Sequence, residues 1–149
     1  MLRTTSTNSD FQELVRALDI DLKIRDGEDH AFYAQFSKID SLQHVVVLYV
    51  NNEGVGCGAF KELQADTVEI KRMYLVPTLR GNGYASLVLH ELEKWAEELG
   101  YKQCRLETGL MQPEAIAVYT KNGYYRIPNY GQYEGVDTSV CFEKNITTE

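Results

Sequence analysis

The chain has 149 residues, of which 44% are apolar and 25% charged, and its formal net charge at pH 7 is −7. That length suits one domain that buries about two thirds of the surface of its unfolded chain. The acidic balance argues against a nucleic-acid surface, which carries a basic stripe, and no apolar run reaches the roughly 18 residues of a membrane span.

Cysteine, histidine and the N-terminus give no sign of a metal site or of export. The segment MLRTTSTNSD lacks the apolar core of a signal peptide, so we expect a cytoplasmic protein. The histidines are scattered without triad or ligand spacing, and we assign them no chemistry. Free cysteines without metal spacing are usually interior. We therefore expect buried structural thiols at Cys57, Cys104 and Cys141.

The first forty residues are predicted to contain a short strand and two helices. The strand covers residues 2–6. Residues 9–25 carry apolar side chains at helical spacing and predict an amphipathic helix capped by Ser9 or Asp10. A second, shorter helix is predicted around residues 29–39. The apolar positions of the first helix are Phe11, Leu14, Val15, Leu18 and Leu22.

Strands dominate the next part of the chain. Two runs rich in β-branched residues flank the glycine-bearing turn NNEG, so residues 44–61 predict an antiparallel hairpin. The segment DTVEIKRMYLV, residues 66–76, predicts the strand that follows. A sheet is therefore expected to begin with consecutive, hairpin-connected strands.

Helices and strands alternate in the second half. Residues 84–99 repeat apolar side chains every three or four positions, and Gly100 supplies a left-handed stop. Residues 113–123 predict a short helix with Pro113 in its first turn. Strands are predicted at residues 102–109, 124–127 and 139–145. This order of elements predicts a mixed α/β sheet covered by helices.

The stretch VPTLRGNGYASLV, residues 76–88, places two glycines and an arginine between a predicted strand and a predicted helix. N–H groups at a helix N-terminus attract phosphates, glycine permits close approach, and Arg80 adds forked donors. A tight turn with a solvated arginine is the alternative. The NTPase loop GxxxxGK[ST] is absent. The dinucleotide fingerprint GxGxxG is matched at Gly81 and Gly83 but has Ser86 at its third glycine, and it stays as a second alternative.

Two segments together resemble the GNAT superfamily of N-acetyltransferases, which transfer an acetyl group from acetyl-CoA to an amine. EIKRMYLVPTLRGNGYASLVLHELEKWA is similar to the family's strand, pyrophosphate loop and helix. PEAIAVYTKNGYYRI is similar to its AxxxYxxxGF segment, with Tyr124 in the aromatic position. The similarity covers residues 44–144 well and the N-terminal helices more loosely.

The resemblance implies the fold. We expect an α/β, or mixed α+β, GNAT-type domain over residues 1–149. Its central, mostly antiparallel sheet should have about six or seven strands and about four flanking helices. The strand before the loop and the strand CRLETG should splay apart where CoA enters.

The resemblance also assigns an acetyl-CoA site. The loop pattern Gln/Arg-x-x-Gly-x-Gly/Ala is placed on residues 78–83, where Thr78 departs from it. Gln112 stands where many relatives carry Asn. Backbone groups of the preceding strand are implied to meet the pantetheine arm, and residues 80–85 the pyrophosphate. The implied set is Met73, Leu75, Arg80, Gly81, Asn82, Gly83, Tyr84, Ala85 and Gln112.

Acetyl transfer needs a neutral amine and a proton for the departing thiolate. An alkylammonium with a pKa of about 10.4 is mostly charged at neutral pH, so a base or a water relay must help. By resemblance Glu69 is the candidate base, with an exposed glutamate paired to Lys71 as the alternative. Tyr119 occupies the family's general-acid position, with a core tyrosine as the alternative. A backbone N–H near Leu75 is implied as the oxyanion stabiliser.

The acceptor is less defined by the sequence. Residues 19–29 contain five acidic and two basic side chains, which could attract a cationic amine or form a solvated face. The aromatic segment YYRIPNYGQY, residues 124–133, could form another wall. We expect a primary amine of a small molecule or peptide as partner, a homodimer as one assembly, and no nucleic acid, membrane or metal. A non-catalytic acyl-CoA-binding module is the alternative function.

Overall fold

A computed structural model describes residues 1–26 and 42–147, and seven strands of this part form one sheet. The strands are β1 (Leu2–Thr4), β2 (His44–Val50), β3 (Glu53–Gln64), β4 (Thr67–Leu75), β5 (Gln103–Gly109), β6 (Tyr125–Ile127) and β7 (Ser139–Asn145). Their order is β1-β2-β3-β4-β5-β7-β6. Within it β4 and β5 are parallel and the other neighbours are antiparallel. The mixed, mostly antiparallel sheet confirms the prediction.

Three α-helices lie within the described ranges: α1 (Ser9–Asp26), α2 (Tyr84–Glu98) and α3 (Pro113–Lys121). The helix predicted around residues 29–39 falls outside those ranges, so the described helix count is three where about four were expected. None of the three is long and apolar enough to cross a membrane.

The first turn of α1 corrects the predicted cap. The side-chain Oδ1 of Asn8 accepts the N–H of Phe11 at 2.9 Å, which is the bond of an N-cap residue. Ser9 already lies inside the helix, and Asp10 instead accepts the hydroxyl of Tyr49 at 2.8 Å. The prediction of Ser9 or Asp10 as the cap was therefore wrong by one or two residues.

The hairpin between β2 and β3 turns at Asn51 and Asn52. Their φ angles are +52° and +66°. A two-residue turn that matches the twist of the flanking strands requires positive φ at both positions. Asparagine adopts this left-handed conformation more readily than other side-chain-bearing residues. The hairpin prediction is confirmed, although β3 is longer than predicted at both ends.

Helices pack on both faces of the sheet. The larger apolar cluster joins α2 and α3 to one face, with Leu92, Tyr119 and Ile70 among its members. The smaller cluster packs Phe11 and Val15 of α1 on the other face, over β2 and β3. Because side chains alternate along a strand, residues on either side of Ile70 point towards the face that α1 covers.

The three cysteines are buried and free. Burial raises the pKa of the Cys57 and Cys104 thiols to about 12 and that of Cys141 to about 11. A thiol with so high a pKa is a poor nucleophile near neutral pH. The prediction of structural thiols is confirmed.

Candidate active site

A wedge opens between the two parallel strands. Pairing between β4 and β5 ends at Ile70 and Leu106, although β4 continues to Leu75 and β5 to Gly109. Beyond the last pair the strands no longer bond to each other. The splay implied by the family resemblance is therefore confirmed, and it forms a cleft between strands in the middle of the sheet.

A bulge in β4 lies at the start of this wedge. Between its pairs at Lys71 and Tyr74, β4 advances three residues while β3 advances two. Arg72, inside that interval, has a φ of +61°, which residues other than glycine rarely adopt. Its buried side chain places Nη1 3.3 Å from Oδ1 of Asp19 in α1. No sequence signal marked this position, because an arginine within a β-rich segment predicts ordinary strand.

The backbone beyond the bulge faces the wedge. The N–H of Val76 donates to the carbonyl of Val55 in β3 at 2.9 Å. Successive N–H groups of a strand point to opposite edges, so the N–H of Leu75 points away from β3. Met73, two residues earlier, has the same direction. Both residues thus present backbone groups to the side on which β5 has departed.

A glycine loop closes the mouth of the wedge. Gly81 and Gly83 have φ angles of +88° and +82°, and a Cβ built on either would meet no atom within 4 Å. Gly83 directly precedes α2, whose first-turn N–H groups have no acceptor within the helix. The glycines are thus needed for backbone conformation, and the space above them is open to an anion.

The family's loop pattern fits residues 80–85, two residues later than predicted. Thr78 lies in an exposed 3₁₀ turn, Pro77–Leu79, rather than at the helix N-terminus. Starting at Arg80, every defined position is matched, with Gly83 before α2 and Ala85 in its first turn. The departure at Thr78 therefore disappears, and the proposed residues 80–85 are unchanged.

Arg80 is positioned by the backbone beside the wedge. Its Nε donates to the carbonyl of Leu75 at 2.9 Å, and its guanidinium lies 5.5 Å from the centre of the Tyr74 ring. Its Nη2 is 4.0 Å from Oδ2 of Asp21 in α1. A guanidinium has five N–H donors, so these contacts leave capacity for a phosphate.

The acidic stretch of α1 thus has protein partners. Asp19 approaches Arg72 in the bulge, and Asp21 approaches Arg80 at the loop. The last acids of the stretch, Glu28 and Asp29, lie outside the described residues. Two members of the stretch therefore link α1 to β4 and to the glycine loop, a role that its composition did not indicate.

Tyr119 lies on the α2 side of the sheet. The residue is 7% exposed, and its ring packs edge-on against Tyr124 at 5.9 Å. Burial, and then the charge of Glu107, raise the pKa of the phenol well above its usual value. The Tyr119 ring also lies 6.5 Å from that of Phe142 in β7, which pairs with Leu106, the last residue of β5 bonded to β4, so Tyr119 lies beside the start of the wedge. A protonated phenol at this place can donate a proton into the cleft.

Helix α3 is tied to the first turn of α2. The side-chain amide of Asn122, just after α3, donates to Oγ of Ser86 at 2.9 Å. Gln112, at the other end, immediately precedes α3, and its N–H donates to the carbonyl of Gly109 at 3.1 Å. The helix that carries Tyr119 is therefore fixed to β5 at one end and to the loop-bearing helix at the other.

Glu69 lies on the opposite face of the sheet, towards α1. It is 3% exposed, so the alternative of an exposed glutamate is wrong, although its Oε1 does lie 3.4 Å from Nζ of Lys71. Its other oxygen, Oε2, accepts the hydroxyl of Tyr130 at 2.6 Å. Glu69 is therefore a buried carboxylate held at both oxygens.

An aromatic loop between β6 and β7 covers Glu69. The rings of Tyr130 and Tyr133 meet at 90° with centroids 5.7 Å apart. The side-chain amide of Asn129 donates to the carbonyls of Tyr133, Val136 and Ser139 at 3.2, 3.1 and 3.0 Å, its two hydrogens serving three acceptors. The loop thus forms a wall over this face, braced from within.

Glu107 brings a second carboxylate to the same face. Its Oε2 accepts the hydroxyl of Ser139 at 2.7 Å. Burial, and then the charges of Glu69 and Glu107, raise the pKa of Tyr133 well above its usual value. Two carboxylates, Glu69 and Glu107, therefore lie on this face, together with the cations of Lys71 and Arg105. Across the described ranges, no three His, Cys, Asp or Glu side chains are grouped to hold a metal ion.

Comparison with protein families and curated proteins gives consistent matches. A model of the acetyltransferase (GNAT) family matches residues 11–124. The chain is 35% identical over 93 residues to "IAA acetyltransferase" of Azospirillum brasilense, covering 62% of this chain and 61% of that protein. It is 39% identical over 85 residues to the uncharacterized N-acetyltransferase YjgM of Escherichia coli, covering 54% and 50%. The chain thus spans between half and two thirds of these relatives.

Solved structures share the fold over most of the chain. A protein of Klebsiella pneumoniae named as a candidate acyl-CoA N-acyltransferase superimposes with a TM-score of 0.81 at 28% identity, covering 98% of this chain and 96% of that one. A GNAT family acetyltransferase of Elizabethkingia anophelis, solved with acetyl-CoA bound, gives a TM-score of 0.60 at 17% identity, covering 83% and 87%. At the latter identity the likeness concerns the fold alone.

Proposed function

The chain belongs to the GNAT acetyltransferase family, and from that membership we propose that it transfers the acetyl group of acetyl-CoA to a primary amine of a small molecule or peptide. One observation carries the proposal: the wedge between β4 and β5 has a glycine loop with open space above it at its mouth and a buried tyrosine at its side. A mostly antiparallel sheet does not suit the dinucleotide alternative, whose fold is a parallel sheet.

The cleft fits acetyl-CoA at both ends of the molecule. The pyrophosphate would lie on the loop and first turn of α2, where the backbone is open and Arg80 supplies positive charge. The pantetheine arm would follow the backbone of Met73 and Leu75 along the free edge of β4. Gly81, Asn82, Gly83, Tyr84, Ala85 and Gln112 complete the proposed binding set. Acetyl-CoA supplies the acetyl group as a thioester.

Tyr119 is the proposed general acid. Burial keeps its phenol protonated, so it can give its proton to the departing thiolate sulfur. The N–H of Leu75 points into the same wedge and is the proposed donor to the thioester oxygen. Both groups act from fixed elements, since Asn122 ties the helix of Tyr119 to α2.

Glu69 is the proposed base for the amine. It faces α1 and the aromatic loop, so the amine would approach from that side of the sheet. Each carboxylate oxygen has two lone pairs, and one bond at each oxygen leaves room to accept an ammonium proton directly or through water. The neutral amine can then attack the thioester carbonyl across the wedge. As the C–N bond forms and the C–S bond breaks, the sulfur takes the proton of Tyr119, and the second proton that the nitrogen loses returns to the phenolate through water.

The acceptor proposed from this face is a cationic amine. Glu69 and Glu107 both impose negative potential on Tyr133, and Tyr130 and Tyr133 supply aromatic surface. Aromatic faces and carboxylates together favour an ammonium group over an anion. A small molecule or the side chain of a peptide can present such a group.

An amine panel tests the proposal. Purified protein is incubated with acetyl-CoA and each of a set of polyamines, aminoglycosides, amino acids and lysine peptides, and free CoA is measured with a thiol reagent. Mass spectrometry then checks each reacting amine for an added acetyl group. Acetyl-CoA binding without acetylation of any amine would instead support a non-catalytic binding module.

A further inference from the structure

We infer that Tyr130 is a positioning residue for this acetyl transfer, because its hydroxyl holds the carboxylate of Glu69 in place on the acceptor side of the wedge. The inference rests on the proposed function, in which Glu69 accepts the proton of the amine. Neither the aromatic composition of the segment nor the family resemblance assigns this role to Tyr130.

The contact is a short, sheltered hydrogen bond. The hydroxyl of Tyr130 lies 2.6 Å from Oε2 of Glu69, within the range of a bond from a neutral hydroxyl to a charged oxygen. Lys71 lies 3.4 Å from the other oxygen. A glutamate side chain loses considerable rotamer freedom on being fixed. Two partners at two oxygens define the plane of the carboxylate, whereas Lys71 alone would leave it free to rotate.

The loop that carries Tyr130 is built to hold it there. Asn129, its neighbour, brackets the loop through three backbone carbonyls. The ring of Tyr130 packs against Tyr133, and the guanidinium of Arg105 lies 5.5 Å from its centre. These contacts depend on the ring and not on the hydroxyl. Removing the hydroxyl alone should therefore leave the loop in place.

The chemistry of Tyr130 suits a permanent donor. Burial, and then the charge of Glu69, raise the pKa of its phenol far above the usual value. The phenol therefore keeps its proton under all conditions in which the enzyme would be assayed. It donates to Glu69 without competing with it as a base.

Tyr130→Phe is the primary test. We expect kcat at saturating acetyl-CoA and amine to fall about ten-fold, the rate equivalent of one hydrogen bond to a charged group. The KM for acetyl-CoA should not change, because Tyr130 lies on the acceptor face. A merely structural role would instead lower the unfolding midpoint without changing the kcat of the folded fraction.

Tyr101→Phe is the matched control. Tyr101 also donates to a glutamate, Glu62, at 2.8 Å, but it does so at an exposed position. The substitution removes the same atom and the same kind of bond away from the wedge. It should leave kcat at the wild-type value.

A double variant separates positioning from an independent effect. If Tyr130 acts through Glu69, adding Tyr130→Phe to Glu69→Gln should cost little further rate. If the double variant instead loses rate by the product of the two single losses, the two residues act separately, and the inference is overturned. Asn129→Ala offers a second route, since it loosens the loop without touching Tyr130, and we expect a similar loss in kcat.

The outcomes distinguish this inference from the proposed function. Slow turnover in Glu69→Gln with wild-type turnover in Tyr130→Phe and Asn129→Ala would overturn the inference and leave the function intact. Failure of the wild-type protein to acetylate any amine would refute the function and the inference with it.

Discussion

Glu69 and Tyr119 lie on opposite faces of the sheet, on either side of the wedge between β4 and β5. Ile70, the neighbour of Glu69, belongs to the apolar cluster that contains Tyr119, and side chains alternate along the strand. The proposed proton uptake from the amine and the proposed proton delivery to the thiolate therefore take place on two different faces of the sheet. Each function should be removable without disturbing the other.

Tyr119→Phe should lower kcat and leave the affinity for acetyl-CoA almost unchanged. Only the proton donor is lost, and general-acid assistance commonly contributes about 100- to 10,000-fold. The measurement is steady-state CoA release together with calorimetric titration of acetyl-CoA. Tyr101→Phe is the control, since its hydroxyl donates to Glu62 at an exposed position. Wild-type turnover in Tyr119→Phe would make Tyr119 a packing residue.

The raised pKa of Tyr119 predicts the alkaline side of the rate profile. A phenol in water loses its proton near pH 10, and burial moves this loss in Tyr119 to higher pH. The acid form therefore persists where a solvated tyrosine would ionise. We expect kcat to show no decline due to this group up to about pH 10. A fall in kcat centred clearly below that pH in wild type, absent from Tyr119→Phe, would contradict the assignment.

Glu69→Gln should lower kcat/KM most for amines that are fully protonated at the assay pH. The amide keeps the shape of the side chain but cannot accept the ammonium proton, and acetyl-CoA should bind normally. Raising the pH should restore part of the rate, because more of the amine is already neutral. Profiles of kcat/KM against pH are compared with those of Glu62→Gln, an exposed control. Superimposable profiles for wild type and Glu69→Gln would remove Glu69 from the mechanism.

Gly83→Asp should weaken acetyl-CoA binding by about ten-fold or more, since it places a carboxylate at the proposed pyrophosphate site. Gly83→Asn is the matched control. Asparagine has the same shape, tolerates a positive φ comparably, and meets the same open space above the loop. Calorimetry should show a much smaller loss for Asn than for Asp. Equal affinities in two folded variants would place the pyrophosphate elsewhere.

Asp21→Asn should tighten acetyl-CoA binding by about two- to five-fold. It removes a half-exposed carboxylate 4.0 Å from Arg80, and exposed ion pairs are worth about 0.2–1 kcal/mol. Asp19→Asn should leave this affinity unchanged but lower the free energy of unfolding by about 1 kcal/mol, because Arg72 is buried. Calorimetry and urea unfolding of both variants check the contrast. If the two variants have the same affinity for acetyl-CoA and the same free energy of unfolding, this prediction is wrong.

Local patterns were sufficient to predict most elements. Three elements were predicted because residues only a few positions apart determine each of them. They are strand β2, the turn with two asparagines and helix α2. The insertion of β7 between β5 and β6 was not predicted. The pairing of β7 with β5 and β6 joins segments that are distant in the chain. The alternation of apolar and polar residues along one strand does not identify the strands beside it.

The site was predictable where the motif is local and not where it is assembled by folding. Residues 80–85 are continuous in the chain and run from the glycine loop into the first turn of α2, so their glycines and arginine identify the site. The partner of Glu69 is Tyr130, which is sixty-one positions away in the sequence. The left-handed conformation of Arg72 has no sign in the composition. It accompanies the bulge in β4 and the contact with Asp19, and both form only when the chain folds.

The bracket made by Asn129 has a consequence for how the proposed activity can diversify. The carbonyls it binds lie in the connection that follows Asn129 and at the first residue of β7, so Asn129 braces the loop from within. The proposed acyl-donor cleft is built from β4, α2 and α3, which do not supply those bonds. If the amine binds on the loop face as proposed, exchanging exposed side chains on the loop would change which amine is accepted and leave the donor cleft in place. The preference for an amine and the use of acetyl-CoA would then be open to separate selection.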